Sequence, residues 1–232
     1  MVEGVRIDAR VVVFDMDDTL YLERDFARSG FAAIGREFGD RFDGDAFAQI
    51  CAALLLAGAR GNIFDLALRE LGVTPPDGLI GEMVDAYRRH RPDIRLCADV
   101  ERFLSQLGSA PTGLISDGPG QTQKAKVAAL GLAGRIDHIV LTGEWPEGFG
   151  KPHPRAFEHV QNSTGFPACE HVYIADNAAK DFLAPKGLGW QTVQILREGR
   201  VHTGLPPSSD HAATHLISSF DELRIVTRQG AD

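Results

Sequence analysis

The chain has 232 residues, 44% of them hydrophobic and 24% charged, with a formal net charge of -8, enough to bury a core as one large domain or as a core carrying a smaller one. That charge argues against a nucleic-acid polymer or an anionic membrane surface as the main partner, because both bind basic patches, so an anionic ligand must be held by local groups. Cys51, Cys97 and Cys169 are odd in number and far apart, which predicts reduced thiols and no disulfide framework or cysteine zinc site. Glu3, Arg6, Asp8 and Arg10 interrupt the first residues, and no apolar run reaches the length of a membrane helix, so a soluble, cytoplasmic protein is expected.

From Arg10 to Phe14 a continuous apolar run, VVVF, stops at the acidic Asp15-Met16-Asp17-Asp18. This pattern predicts a buried parallel strand whose C-terminal end delivers polar residues. Residues 21 to 94 then show helical spacing throughout, with stripes at Phe26, Gly30, Ile34 and Phe38 and at Ile80, Met83, Val84 and Tyr87. Gly58, Gly61, Gly72 and Pro75-Pro76 punctuate the segment into about four helices. Val100, Phe103, Leu104 and Leu107 form a further apolar stripe at i, i+3, i+4 and i+7, suited to covering one face of a sheet.

Short strand-like runs recur downstream at Gly113 to Ile115, Ile136 to Leu141, His171 to Ala175 and Gln191 to Leu196. With helical patterns between them, they predict a doubly wound, Rossmann-like α/β sheet. Pro154 is expected to open the helix after Lys151, and a helix is expected around Ser218 to Arg224. In such sheets ligands bind beyond the carboxyl ends of the strands, where Asp15, Ser116 and Asp176 all fall.

Four clusters carry candidate chemistry. In Asp15-Met16-Asp17-Asp18-Thr19-Leu20 the crowded carboxylates call for a cation. Magnesium suits them, with Asp15 as a nucleophile on phosphorus and Asp17 as proton donor and acceptor. The competing reading is an acidic turn with Asp18 or Thr19 capping a helix. Ser116-Asp117-Gly118 can aim a hydroxyl and backbone N–H groups at phosphate oxygens, though it also reads as an ordinary turn. Lys151 in Lys151-Pro152-His153-Pro154 can neutralise a transferring phosphoryl group, or can be plain surface charge. Asp176 in Asp176-Asn177-Ala178-Ala179-Lys180-Asp181 is placed as a metal ligand, with Asp181 able to accept from Lys151 or from a metal-bound water; the alternative is a capped helix start.

In this order, DMDDTL, SDG, GKPHP and ADNAAKD, the chain resembles the four motifs of haloacid dehalogenase-like (HAD) phosphatases over essentially its whole length. The resemblance implies that Asp15 becomes a phospho-aspartate, Asp17 is general acid and base, Ser116 binds phosphate with Asp117 and Gly118, and Lys151 stabilises the charged intermediate. It implies Mg2+ held by the Asp15 carboxylate, the Asp17 backbone carbonyl and Asp176, with Asn177 and Asp181 behind them. The helical segment 21–94 is similar to the family's C1 cap, inserted into an α/β core of residues 1–20 and 95–232.

The implied substrate is a small phosphorylated metabolite. Ala175 departs from the glycine that many members carry before the last motif, and Trp145 and Phe149 precede Lys151 as candidate pocket aromatics. A dehalogenase of this fold would need neither the acid at Asp17 nor magnesium. A phosphomutase would use the same motifs, typically with glycine at the place of Asp18. A catalytically idle protein would still chelate the cation.

Overall fold

The computed structural model describes residues 4–226. The chain divides into two compact units, Glu23–Ile94 and the remainder. The inserted unit holds α1 (Glu23–Glu37), α2 (Gly44–Leu56), α3 (Ile63–Glu70) and α4 (Leu79–Arg89). Both sequence stripes of this segment supply its core, where Phe31 and Ile34 meet Phe47, Phe64, Leu68 and Met83. Gly30 has a specific reason to be glycine, since a Cβ there would lie 2.3 Å from the Tyr87 ring.

The larger unit begins with β1 (Val5–Asp8) and β2 (Val11–Phe14). After the insertion come α5 (Ala98–Gln106), β3 (Thr112–Ser116), α6 (Gly120–Ala129) and β4 (His138–Leu141). The chain continues through α7 (Arg155–Thr164), β5 (His171–Ala175), α8 (Leu183–Leu188) and β6 (Gln191–Ile195). It closes with β7 (His215–Ile217) and β8 (Leu223–Val226). Six of these strands form one parallel sheet in the order β4-β3-β2-β5-β6-β7.

All four residues of β2 are buried because helices cover both faces, as parallel sheets require. Val11 and Val13 join a cluster with Phe157 and Val160 of α7 and with Phe182 and Trp190. Phe14 points the other way, edge-on to Phe103 of α5 and close to Phe220. The chain moves from β2 out to β3 and β4 and then returns to β5 on the opposite side of β2. The switch point of the sheet therefore lies at the C-terminal end of β2.

Three local expectations are corrected. The helix expected around Ser218 to Arg224 is a 3-10 turn, Phe220–Glu222, followed by β8, which pairs in parallel with β1 from Val5↔Leu223 to Asp8↔Val226. Its partner comes from the other end of the chain, so four residues of local pattern could not specify the pairing. Pro154 stands just before α7, not as its first residue. The strand expected from Ile136 starts at His138, because the Ile136 N–H is used by Leu132 and the Asp137 carboxylate accepts the Thr112 N–H. Among the described residues no helix is long and apolar enough to cross a membrane.

A buried ion pair fastens the loop after β2. Arg197 Nε donates to the Thr19 carbonyl at 2.8 Å, and its Nη1 reaches Asp99 Oδ2 at 3.0 Å. Asp99 also accepts from Phe220 N and Ser219 Oγ. Burial alone would raise the Asp99 pKa, but the Phe220 N–H, Arg197 and Ser219 hold it below the ordinary carboxylate value. A depressed folded pKa contributes stability above the unfolded value, about 3.9, and loses it as pH falls through the folded value. Asp99→Asn is expected to cost about 3 kcal/mol at pH 7. In thermal unfolding the gap to the native chain should close below about pH 4; a gap that does not vary with pH would contradict an ionic role.

Candidate active site

Three neighbouring strands end together. The Asp15 N–H donates to the Ile174 carbonyl at 2.9 Å, which carries the β2–β5 ladder one residue past Phe14 and sets Asp15 beside Asp176. Ser116 closes β3 on the other side of β2. After Asp15 the chain turns tightly, with the Leu20 N–H on the Met16 carbonyl. Asp18 takes a left-handed φ of 53° and accepts the Val201 N–H at 2.6 Å. This position asks for a backbone that glycine adopts freely and aspartate tolerates. An Asp or Gly there therefore reports backbone shape, and it does not separate a phosphatase from a phosphomutase.

Lys151 occupies the centre. Its ammonium is fully buried, 2.6 Å from Asp15 Oδ1 and 2.8 Å from Asp181 Oδ1, and it donates to the Tyr173 hydroxyl at 3.0 Å. Burial alone would depress its pKa, but Asp15 and Asp181 hold it well above the ordinary lysine value. Asp181 spends its other oxygen on the Asn177 N–H, and Asn177 Oδ1 accepts the Ala179 N–H in an Asx turn.

Oxygens of Asp15, Asp176 and Asp181 lie within 4.8 Å of one another, and Asp176 Oδ2 is buried with no hydrogen-bond partner. Three carboxylates thus crowd around one ammonium. Burial raises the Asp15 pKa to about 6 despite Lys151, and burial with the neighbouring carboxylates raises Asp176 to about 9. Such a group is short of positive charge, and a hard divalent cation with oxygen ligands matches both the deficit and the unpartnered Asp176 oxygen.

The Asp17 carboxylate stands apart from that cluster. Its Oδ1 takes the Tyr21 hydroxyl and Lys126 Nζ, the latter at 2.6 Å, and its Oδ2 takes Gln123 Nε2 at 2.9 Å. Burial alone would raise its pKa, but Lys126, Tyr21 and Gln123 hold it below the ordinary value. Of the residues expected to meet substrate, Asp117 has its carboxylate turned to protein. Oδ1 accepts the Thr142 hydroxyl at 2.7 Å and the Lys151 N–H at 3.1 Å, and Oδ2 pairs with Lys180 at 3.0 Å. This clamp joins the loops after β3, β4 and β5. Trp145 and Phe149 flank the Arg155 guanidinium, at 4.9 and 4.3 Å from its carbon, and Trp145 also packs on the sheet core.

Sequence reasoning missed Gln123, Lys126, Thr142, Tyr173 and Lys180. One signal was available for the first two, because α6, Gly120–Ala129, has no apolar stripe although it lies between two strands of a covered sheet. It buries Thr122, Gln123 and Lys126 alongside a single apolar side chain, Val127.

The haloacid dehalogenase-like hydrolase family model matches residues 9–189, and the chain belongs to that family of hydrolases. It is 28% identical over 231 residues to a glyceraldehyde 3-phosphate phosphatase of Methanopyrus kandleri, covering 95% of this chain and 97% of that one. It is 28% identical to a phosphoserine phosphatase of Thermus thermophilus over 68% of this chain and 60% of that one. Among solved structures, a HAD-hydrolase of Bacillus subtilis bound to magnesium superposes with a TM-score of 0.66 at 20% identity, covering 93% and 96% of the two chains. The L-2-haloacid dehalogenase of Xanthobacter autotrophicus does so with a TM-score of 0.57 at 19% identity, covering 92% and 96%. At these identities the two structures share the fold alone.

Close packing of the loops gives a direct test. A Cβ on Gly143 would lie 1.9 Å from the Gly118 carbonyl oxygen and 2.9 Å from the Gly120 nitrogen, so the loop after β3 must shift to admit one. Gly143→Ala is expected to destabilise the chain by about 1–3 kcal/mol, read as a fall in Tm. An unchanged Tm would show that the two loops are not held against each other.

Proposed function

We propose that the chain hydrolyses phosphate monoesters of small metabolites with magnesium, through a phospho-aspartate on Asp15. The carrying observation is the buried Asp15 carboxylate 2.6 Å from Lys151 Nζ, beside an Asp176 oxygen with no protein partner. An ammonium at that distance lowers the energy of negative charge gathering on a phosphoryl group in transfer, in a site where burial strengthens the interaction. Phosphatases related to this chain along almost their full length support the same chemistry, and the triose phosphate in the name of one favours a sugar-phosphate-like substrate.

In the proposed reaction an Asp15 oxygen bonds to phosphorus as the ester P–O bond breaks, and the leaving oxygen takes a proton from the Asp17 carboxyl. Water then attacks phosphorus and gives a proton to the Asp17 carboxylate, which frees Asp15 and inorganic phosphate. Ser116 would hold a phosphoryl oxygen from the β3 side and Lys151 from the α7 side. Magnesium would be held by the Asp15 and Asp176 carboxylates and the Asp17 carbonyl, where it would supply positive charge to the phosphoryl oxygens. Asn177 and Asp181 would orient these groups through the Asx turn and the Lys151 pair. We assign substrate selection to the inserted helical unit as a cap, and location to the cytoplasm.

Phosphate release from a panel of phosphorylated metabolites is expected with magnesium and is expected to stop in EDTA. Asp15→Asn should lower turnover by at least about a thousandfold while the chain still folds, read by circular dichroism. Full activity in Asp15→Asn would reject the nucleophile. Magnesium binding without release from any substrate would favour a phosphomutase or a binding protein.

A further inference from the structure

We propose that Gln123 and Lys126 of α6 are positioning residues for the acid/base group, locking the Asp17 carboxylate next to the Ser116 hydroxyl. The inference rests on reading Asp17 as the general acid and base. The two side chains stand three residues apart, on one face of the helix, and both are buried, at 2% and 5% exposure. Lys126 Nζ lies 2.6 Å from Asp17 Oδ1. Gln123 Nε2 lies 2.9 Å from Asp17 Oδ2, 2.6 Å from Ser116 Oγ and 2.7 Å from the Asp117 carbonyl. One amide therefore bridges the acid/base carboxylate and the phosphate-binding hydroxyl.

The energetics point the same way. Burying an ammonium costs several kcal/mol before pairing, and an apolar side chain of similar volume would cover a sheet edge at less cost. A helix that spends buried positions on lysine and glutamine is arranged around polar partners. An aspartate has two side-chain torsions, so an untethered Asp17 would sample several rotamers. Here both of its oxygens are held, by two residues of one helix and by the Tyr21 hydroxyl. Proton transfer depends steeply on distance and alignment, so fixing Asp17 relative to Ser116 fixes it relative to a phosphoryl group bound there. The proton moves to and from Asp17 alone; Lys126 and Gln123 keep theirs.

The test compares kcat/KM for phenyl phosphate and p-nitrophenyl phosphate, two probes of nearly equal shape. Phenoxide, like tyrosinate with a pKa of about 10, leaves poorly without a proton, whereas p-nitrophenoxide leaves readily. Asp17→Asn should lose about 10²–10⁴-fold on phenyl phosphate and clearly less on the nitro compound. Lys126→Met should show the same skew, with at least a tenfold loss on phenyl phosphate, and Lys126→Arg should recover part of it. The double variant Asp17→Asn/Lys126→Met should be no slower than Asp17→Asn, since a residue acting through Asp17 has nothing left to position. Should Lys126→Met fail to fold, Gln123→Leu carries the comparison of the two probes, read on the skew alone because Gln123 also holds the Ser116 hydroxyl.

Equal losses on both probes, or multiplicative losses in the double variant, would overturn the positioning role. Absence of skew in Asp17→Asn itself would instead overturn the acid assignment, and the two failures are thereby separated.

Discussion

The structure is organised around a buried ammonium shared by carboxylates. Lys151 has no solvent contact at its side chain and faces Asp15 at 2.6 Å and Asp181 at 2.8 Å. Moving such ions out of water is repaid only when partners are close and well oriented, so the backbone has to bring the loop before α7 onto the ends of β2 and β5. The adjacency of β2 and β5, created where the chain crosses back over the sheet, is the topological form of that requirement. Carboxylate still exceeds ammonium there, which leaves room for a divalent cation.

Around this centre, polar side chains do work that is done elsewhere by apolar packing. Asp117 ties the loop after β3 to Thr142, to the Lys151 backbone and to Lys180. Arg197 and Asp99 tie the loop after β2 to α5 and to the Phe220 turn. Buried polar networks rigidify a site because breaking a contact leaves an unpaired group at low dielectric. The loops at the strand ends are thus held by contacts with strict geometry, and the sheet core beneath them is held by ordinary hydrophobic burial.

Family and fold do not choose the reaction. The fold is shared with a dehalogenase and with a magnesium-bound hydrolase at similar low identity, so side chains and not the sheet decide the chemistry. Asp17 is the informative residue, since the proposed hydrolysis needs a carboxyl there to protonate the leaving oxygen. Its tethering to α6 joins that carboxylate to the rest of the site.

How much was legible follows from the range of each interaction. Apolar runs that end in Asp15, Ser116 and Asp176 were readable as strands with polar C-terminal ends, because burial on both faces of a parallel sheet imposes a continuous apolar pattern. Helical stripes at Phe26 to Phe38 and at Ile80 to Tyr87 were readable for the same local reason, and the order of the four motifs carried the family. The β1–β8 pair was not readable, since its partners come from opposite ends of the chain and each strand has only four residues. Nor were Tyr173 and Lys180, which look like ordinary polar positions until the fold sets them against Lys151 and Asp117; Gln123 and Lys126 left a trace only in the missing apolar stripe of α6, which does not say which carboxylate they meet. By itself the sequence determined which residue types end the strands and the family to which they belong. Tertiary structure alone decided which cation meets which carboxylate, because such pairing depends on distances between loops far apart in sequence, and no local pattern encodes them.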